Sequence, residues 1–573
     1  MTAPEPRHLA LAAVAVVAVA GLGLAVAGPL TPSEPPARSV PPAASPPPSA
    51  STSPSATPSP SPSAVAALPR TRPPQGRLAG DDLYAMSVAA SRAAFPGTAR
   101  APVVFLVSGE SQAQAYGAVP AAAALGGAVL LTRPDGIPRV TAAELDRLDP
   151  DRIVLVGGGT VIRAAVARAA ATHAPDVERV DGDSRAGTSL ALARFAFGTA
   201  TKAWVVSRDH PEHAVVAAAA AAGQRSPVLV VDGDAAALPA AHAALLRDLG
   251  ATDVTVVGPT SAVSTGIADD LEDLVGSGGV RRASGADRYA VAAKVNALAR
   301  PSLSEGVAYL ANGRKPTTAF VGAFLAGLSQ RPLHYSLPYC VPASVRPALV
   351  GTGVSRVVLV GGESSVRRLA GRLEPCRSIE DPSSTWVLVN KRNGLSPRGF
   401  VPSDLRVPAM EHAGGHELRA DAAKALATMA AASVDAGVGR IGIDTAFRSY
   451  ATQDALYDSR VASRGRAWAD TWYLRPGYSE HQTGLTVDLL PIGRSNCTIN
   501  DCIDETPQGV WLARNAWRHG FILRYERGHT STTGVGFEPW HFRYVGKPLA
   551  EAYRDGGWNT LEAFLDEPAA PSY

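Results

Sequence analysis

Two short stretches late in the chain hold side chains able to do chemistry: Pro476-Gly-Tyr-Ser479-Glu-His481-Gln-Thr-Gly-Leu-Thr-Val-Asp488-Leu and Gly536-Phe-Glu538-Pro-Trp-His541-Phe-Arg-Tyr544. A catalytic zinc ion takes three protein ligands of nitrogen or oxygen type and keeps one position open for water. His481, Asp488 and His541 supply such a set. Amide hydrolysis at a metal also needs a carboxylate that stays off the metal and sits beside its water as general base. Glu538, three residues before His541, is placed for that role if Pro539 breaks regular structure and lets the chain bend. The same residues also read as buried, satisfied histidines with an unrelated acid, because two His and one Asp occur together by chance in a domain of this size.

The elements that must position these residues are legible from periodicity. Alternation over Leu485–Leu490 turns Leu485, Val487 and Leu489 to a core and Asp488 to the opposite face. Before it come a helix over Glu417–Ala436, Ala-rich with apolar spacing, a strand Ile441–Ile443 and a helix Thr452–Arg464. After it come a helix Gln508–His519 and an aromatic strand Trp540–Val545. This mixed order is that of an α+β domain, here residues 380–573. Six of the eight Trp lie at or after Trp468, which sets this region apart from what precedes it.

The middle of the chain is a triplet. Arg77-Leu-Ala-Gly80, Arg179-Val-Asp-Gly182 and Arg282-Ala-Ser-Gly285 open three copies, 102 and 103 residues apart, and each is followed by an Ala-rich helical run. Each copy then gives an apolar strand (Val103–Val107, Trp204–Val206, Val307–Leu310) and a second strand (Val129–Leu131, Val228–Val231, Pro332–Tyr335). A third strand ends in a small-residue turn at Gly157-Gly-Gly, Gly258-Pro-Thr or Gly361-Gly-Glu. Continuous apolar strands alternating with helices specify parallel βαβ sheets covered on both faces, so residues 77–176, 177–279 and 280–378 read as three small α/β domains. None of the turns spells the full dinucleotide fingerprint, and a tight strand-to-helix turn accounts for them.

The chain starts as an exported protein does. Arg7 precedes an uninterrupted apolar run from Leu9 to Gly28, about the 20 residues that span a bilayer. Ala25-Val26-Ala27 is a small-residue cleavage site, so residues 1–28 read equally as a retained membrane anchor and as a cleaved signal. Residues 29–76 are a Pro/Ser-rich linker, with 16 Pro between Pro29 and Pro74. Such a composition cannot build a core, and Pro stiffens it into a spacer. Over 573 residues the chain is 46% hydrophobic and 18% charged, with a net charge of +3. That balance gives no nucleic-acid footprint, and four Cys are too few for a disulfide-built miniprotein. In an oxidising compartment the two local groups, Cys340 with Cys376 and Cys497 with Cys502, read as two disulfides.

From Arg77 to Cys376 the Arg-x-x-Gly openings and Val-x-Val-Gly-Gly endings resemble the type 2 cell-wall-binding repeat, which occurs in threes on Gram-positive surface proteins. The resemblance implies a three-lobed module that binds an anionic wall polymer. Only the third copy has the fuller opening of that family, with Arg288 and Tyr289, which leaves the ligand open. The opening Arg residues could pair with polymer anions or tie each helix start to its own domain.

The last third is similar to the VanY-type D-alanyl-D-alanine carboxypeptidases. It carries Ser479-x-His481-x-x-Gly484-x-x-x-Asp488 and Glu538-x-x-His541, with Val389-Asn-Lys-Arg-Asn-Gly-Leu, Phe447-Arg448-Ser449-Tyr450-x-x-Gln453 and Gly520-Phe-Ile-Leu-Arg-Tyr525 in the same order. The resemblance implies Zn2+ on His481, Asp488 and His541, with Glu538 as base. It places Arg448 at the active site, where a fixed guanidinium stabilises an oxyanion or grips a carboxylate. Gln453, Ser479, Ser449 and Trp540 fall to substrate binding. The chain departs from the family at Thr445-Ala446-Phe447, usually Ser-Gly-Tyr, and at Thr486, usually Ala. The two resemblances together imply a multidomain chain of three α/β (βαβ, parallel-sheet) repeat domains and an α+β zinc peptidase domain. It would be exported to the wall or the outer membrane face and would trim terminal D-Ala from peptidoglycan stem peptides. A stem endopeptidase and a non-catalytic wall-binding surface protein are the alternatives.

Overall fold

The computed structural model describes residues 75–300, 306–350, 353–493, 497 and 499–573. The expected anchor or signal, and the linker up to Pro74, lie outside the described residues. Among the described residues no helix is long and apolar enough to cross a membrane.

Runs of Val, Leu and Ile without polar alternation need cover on both faces, and the middle region provides it three times. The strands are β1 (Gln75–Leu78), β2 (Val103–Ser108), β3 (Ala128–Thr132), β4 (Arg152–Val156), β5 (Asp176–Val180), β6 (Lys202–Ser207), β7 (Val228–Val231), β8 (Asp253–Val257), β9 (Val280–Ala283), β10 (Val307–Asn312), β11 (Leu333–Ser336) and β12 (Arg356–Val360). They form three parallel four-stranded sheets in the orders β3-β2-β4-β5, β7-β6-β8-β9 and β11-β10-β12-β1. The fourth strand of each sheet is the segment that opens another copy: β5 carries Arg179, β9 carries Arg282, and β1, with Arg77, closes the third sheet. Sequence periodicity assigns these segments no strand, because they are short, rich in charge and only partly buried, the character of sheet edges.

The opening arginines are held inside the module. Arg77 Nη1 donates to the carbonyls of Gly361 (2.6 Å) and Val366 (2.9 Å). Arg282 Nη1 does the same to Gly258 (3.1 Å) and Val263 (2.8 Å), and Arg179 donates to Gly157 and Ile162. Each arginine thereby staples the strand-to-helix turn of the sheet whose edge it joins, so its donors meet backbone carbonyls within the fold.

Three central helices, Ala118–Ala124, Pro211–Gln224 and Pro316–Leu328, follow β2, β6 and β10 and pack on one another. Small residues let them approach closely: a Cβ built on Gly327 would stand 2.5 Å from Ala222 Cβ.

The third lobe runs directly into the last domain. A disulfide joins Cys340 to Cys376, and Tyr339, Leu369, Trp386, Leu549 and Phe564 share one apolar cluster across the junction. Arg367 of the third lobe lies 4.2 Å from the Trp558 ring and donates to the carbonyl of Ala563 at 3.0 Å. Arg372 reaches Glu551 at 2.6 Å.

Beyond a two-residue ladder, β13 (Leu405–Arg406) with β14 (Leu418–Arg419), the domain is built on an antiparallel sheet of order β15-β16-β18-β17: β15 (Ile441–Thr445), β16 (Thr486–Pro491), β17 (Phe521–Leu523) and β18 (His541–Tyr544). One face packs on the helix Ala420–Asp435. Ala422, Ala423, Leu426, Met429 and Ala430 recur at helical spacing and meet Leu485, Val487, Leu489, Phe521 and Phe542. Each large side chain so buried contributes about 1.5–3 kcal/mol. The opposite face of β16 is left for the site. The helix Tyr450–Arg464 is capped by Ser449, whose hydroxyl accepts from Thr452 N. A further helix, Arg466–Trp472, and the helices Lys547–Asp555 and Leu561–Leu565 were not evident from sequence periodicity.

Candidate active site

Asp488 and His541 are directly opposed across the β16–β18 ladder, a register that brings side chains of one face to about 4.5–5.5 Å at Cβ. His481 comes from a tight turn, Glu480–Thr483, that ends at Gly484 with φ +66°. Only glycine suits that backbone, since a Cβ would also stand 3.0 Å from Leu405 and 3.1 Å from Arg419. The three ligand-type atoms lie within 4.8 Å of one another, and all three residues are buried. His481 Nε2 is 3.1 Å from Asp488 Oδ2, and His541 Nδ1 is 3.1 Å from Asp488 Oδ1. Glu538 belongs to the turn entering β18. His541 N donates to Glu538 O, which brings the Glu538 carboxylate to 3.2 Å from His541 Nδ1.

The tautomers follow from the neighbours. His481 Nδ1 is 2.7 Å from the carbonyl of Ala446. A carbonyl only accepts, so Nδ1 donates and the Nε2 lone pair faces Asp488. Burial pushes His481 below the ordinary imidazole value, which keeps it neutral. Burial would raise Asp488, but His541, whose ring Asp488, Glu480 and Glu538 hold well above the ordinary imidazole value against burial, keeps the carboxyl well below the usual range. A neutral imidazole lone pair and a carboxylate oxygen 3.1 Å apart, both acceptors and both out of water, fit a cation between them. The donor set therefore suits a divalent metal ion.

Behind the ligands is a buried charge network that sequence reasoning missed. Glu480 Oε1 accepts from Arg524 Nε at 3.0 Å and Arg543 Nη1 at 2.8 Å, while Oε2 lies 3.7 Å from His541 Nε2. Arg524 also binds Glu562 through two bonds of 3.0 and 2.7 Å, and Asn390 donates to Glu562. Burial opposes the charge on Glu480, yet the two guanidiniums hold it well below the ordinary carboxylate range. Glu480 Oε2 and His541 Nε2 are both buried without a hydrogen-bond partner, so the carboxylate faces the ring as a charge beside it. Arg524 and Arg543 sit within stretches singled out in the sequence, but nothing there pairs them with Glu480, and Glu562, carried on the helix Leu561–Leu565, gives no local signal.

The site opens into a cleft of about 350 Å³ lined by Arg448, Ser479, Glu538 and Trp540, with Trp468, Trp472 and Tyr473 forming an aromatic wall. Arg448 Nη1 donates to Gln453 Oε1 at 2.9 Å, and its buried Nε has no protein partner. Burial lowers its pKa, opposed by Asp488 and Glu538. Gln453 reaches the cleft wall, but both ends of its amide are engaged: Oε1 by Arg448 and Nε2 by the carbonyl of Leu474 at 2.6 Å. Ser449 caps its helix and is not among the residues that line the cleft. Cys497 and Cys502 are joined as a disulfide, and Ile499 between them lines the cleft.

The family model described as D-alanyl-D-alanine carboxypeptidase (VanY) matches residues 415–547, which include every residue of the metal cluster and Glu538. The putative carboxypeptidase YodJ of Bacillus subtilis (strain 168) is 35% identical over 202 residues, 34% of this chain and 72% of that protein. The chain belongs to the VanY carboxypeptidase family. A D-alanyl-D-alanine carboxypeptidase of Enterococcus faecium is 35% identical over 134 residues, 23% of this chain and 39% of that protein. The VanY region is preceded by two matches to the model described as cell wall binding domain 2 (CWB2), at residues 77–167 and 179–268. The amidase LytC of B. subtilis (strain 168) is 24% identical over 294 residues, 51% of this chain and 56% of that protein. A VanY-like domain carrying a His/Asp/His cluster thus adjoins cell-wall-binding repeats, which makes this an exported protein of the wall surface.

Proposed function

We propose that the chain is a zinc-dependent carboxypeptidase that removes a terminal D-Ala from peptidoglycan stem peptides while its repeats hold it to an anionic wall polymer. The observation that carries this reading is the set His481, Asp488 and His541 at the floor of an open cleft, with the Glu538 carboxylate 3.2 Å from His541. His481 through Nε2, His541 through Nδ1 and Asp488 would hold the ion. Zinc, when bound, supplies Lewis acidity that polarises the scissile carbonyl and acidifies a water molecule.

The rest of the chemistry belongs to the protein. Glu538 accepts the water proton on its carboxylate and returns it to the departing amine. Arg448, locked by Gln453, lines the cleft and presents its guanidinium to the developing oxyanion or to the substrate carboxylate. Ser479 and Trp540 orient the peptide from the cleft wall. Glu480, 3.7 Å behind His541 Nε2, would favour the tautomer that leaves Nδ1 free for the ion.

We also infer that the third lobe, residues 280–378, is a copy of the same wall-binding unit. Its sheet has the same strand order, and Arg77 makes there the bonds that Arg179 and Arg282 make in the other two.

The test incubates the protein with muropeptides ending in D-Ala-D-Ala or in a single D-Ala, with and without chelator, and reads products by mass spectrometry. Chelator-sensitive loss of one alanine supports the carboxypeptidase, and the substrate that loses it separates D,D from L,D specificity. Cleavage deeper in the stem would identify an endopeptidase. Intact substrates with a folded, zinc-loaded protein would overturn the reading in favour of a non-catalytic wall-binding protein.

A further inference from the structure

A second group of metal-type ligands lies far from the VanY domain in sequence, at the start of the second lobe's central helix. His210 caps the helix Pro211–Gln224, Glu212 is in its first turn and His213 comes next. Each offers one ligand atom, and these atoms lie within 4.8 Å of one another. The two imidazoles are stacked, with ring centroids 4.9 Å apart and planes 16° from parallel. His210 Nδ1 is 3.3 Å from Glu212 Oε1. His213 is 4% exposed, and its Nδ1 has no hydrogen-bond partner.

A buried, unpaired ring nitrogen is costly, and packing does not demand it here. The matching position in the third lobe, where Lys315 caps the helix Pro316–Leu328, has Thr317 and Thr318 in place of Glu212 and His213. Thr318 stands against Gly361 as His213 stands against Gly258, so the fold accepts a small side chain at this point. The second lobe alone brings two imidazoles and a carboxylate to this turn. At the end of β8, Gly258 has φ +112°, and a Cβ there would be 3.0 Å from His213 Nδ1. The helix start is braced from two sides. His213 N donates to His210 O, and Tyr335 of the third lobe donates its hydroxyl proton to Glu212 O at 2.7 Å.

We propose that His210, Glu212 and His213 form a second metal site, at the seam of the second and third lobes, for a borderline divalent transition ion such as Zn2+. The donor set decides the class of ion. Hard cations such as Ca2+ take six to eight oxygens, whereas two imidazoles and one carboxylate suit zinc, nickel or copper. Arg288, whose guanidinium donates to Gly313 O, is a neighbouring cation that acts on both Glu212 and His213.

The experiment counts zinc on the full chain in a His541→Ala background, so that its result does not depend on the catalytic reading. The protein is stripped with chelator, dialysed against Zn2+, and its bound metal measured by atomic emission. One equivalent per chain is expected to remain, to fall to none on adding His210→Ala with Glu212→Gln, and to raise the thermal midpoint only where it is bound. Both added substitutions are at part-exposed side chains, 36% for His210 and 12% for Glu212. His213→Thr, which copies the third lobe, is a second variant expected to lose the same equivalent. Circular dichroism of the metal-free forms checks that each variant folds. No zinc in the His541→Ala chain, or zinc that survives both sets of substitutions in folded protein, would overturn the site.

Discussion

The opening arginines of the repeat lobes and the buried charges behind the VanY site are answered in opposite ways. In the lobes, the half-buried Arg77, Arg179 and Arg282 are each answered by backbone carbonyls of one turn, with Glu363 of that turn added for Arg77, so each charge is settled locally. In the VanY domain, Glu480, Arg524, Arg543 and Glu562 answer one another across four segments of chain, and the end of that network stands 3.7 Å from a ring of the metal cluster. An arginine that caps a turn stabilises its own lobe. A carboxylate that holds two arginines and backs a ligand joins the stability of the domain to the geometry of its site. Conspicuous, repeated charge was here structural, and the charge that supports the site was inconspicuous in sequence.

That contrast orders the expected effects. Glu538→Ala should lower kcat by about 10²–10⁴-fold while bound zinc stays at the wild-type level, because it removes the base and leaves the ligands. Steady-state rates with a metal count on the same sample check it, and full activity would remove Glu538 from its role. Glu480→Gln should weaken zinc binding by about 10–100-fold through the His541 ring. It should also destabilise the domain by about 3–5 kcal/mol, since it leaves buried guanidiniums underpaired. Chelator competition and urea unfolding read the two halves separately, and a loss of stability with unchanged zinc affinity would cut the link between network and site. Arg282→Ala should cost about 1–3 kcal/mol, the penalty of unmet carbonyls at one turn, with peptidase rates untouched. If it slowed the peptidase, the lobes would not be energetically local. Smallest of all, Arg152→Ala, which breaks the exposed Arg152–Asp176 pair at the edge of the first sheet, should change stability by about 0–1 kcal/mol.

What could be read in the sequence obeyed the same divide. The parallel sheets were legible because β2, β6 and β10 are short and continuously apolar, and the threefold repetition was plain in the spacing of the arginines. The exchange of β5, β9 and β1 between lobes was not, since an edge strand that belongs by sequence to the next copy leaves no local trace of its pairing. In the VanY domain the alternation Leu485, Val487, Leu489 set the face on which Asp488 stands, and His481 and His541 stood out by residue type and motif. Their common location depends on the β16–β18 register and on the Ala446 carbonyl, which periodicity does not encode. Gln453 and Ser449 could be picked out as polar residues near Arg448, but only the structure shows one bracing that arginine and the other capping a helix. Arg524 and Glu562 are separated by 38 residues, and only folding brings them together.

The strand β1, which completes the third sheet from the start of the described chain, has a consequence for how such a module can vary. An open array of stacked units can gain or lose a member at either end. Here every sheet borrows an edge from another copy, and the borrowing runs from the last lobe back to the first segment. Loss of the first segment alone would therefore open an edge in the third lobe and none in the first. Tension applied at Gln75 would load the parallel β1–β12 seam of the third lobe first, and that is the lobe against which the VanY domain is packed.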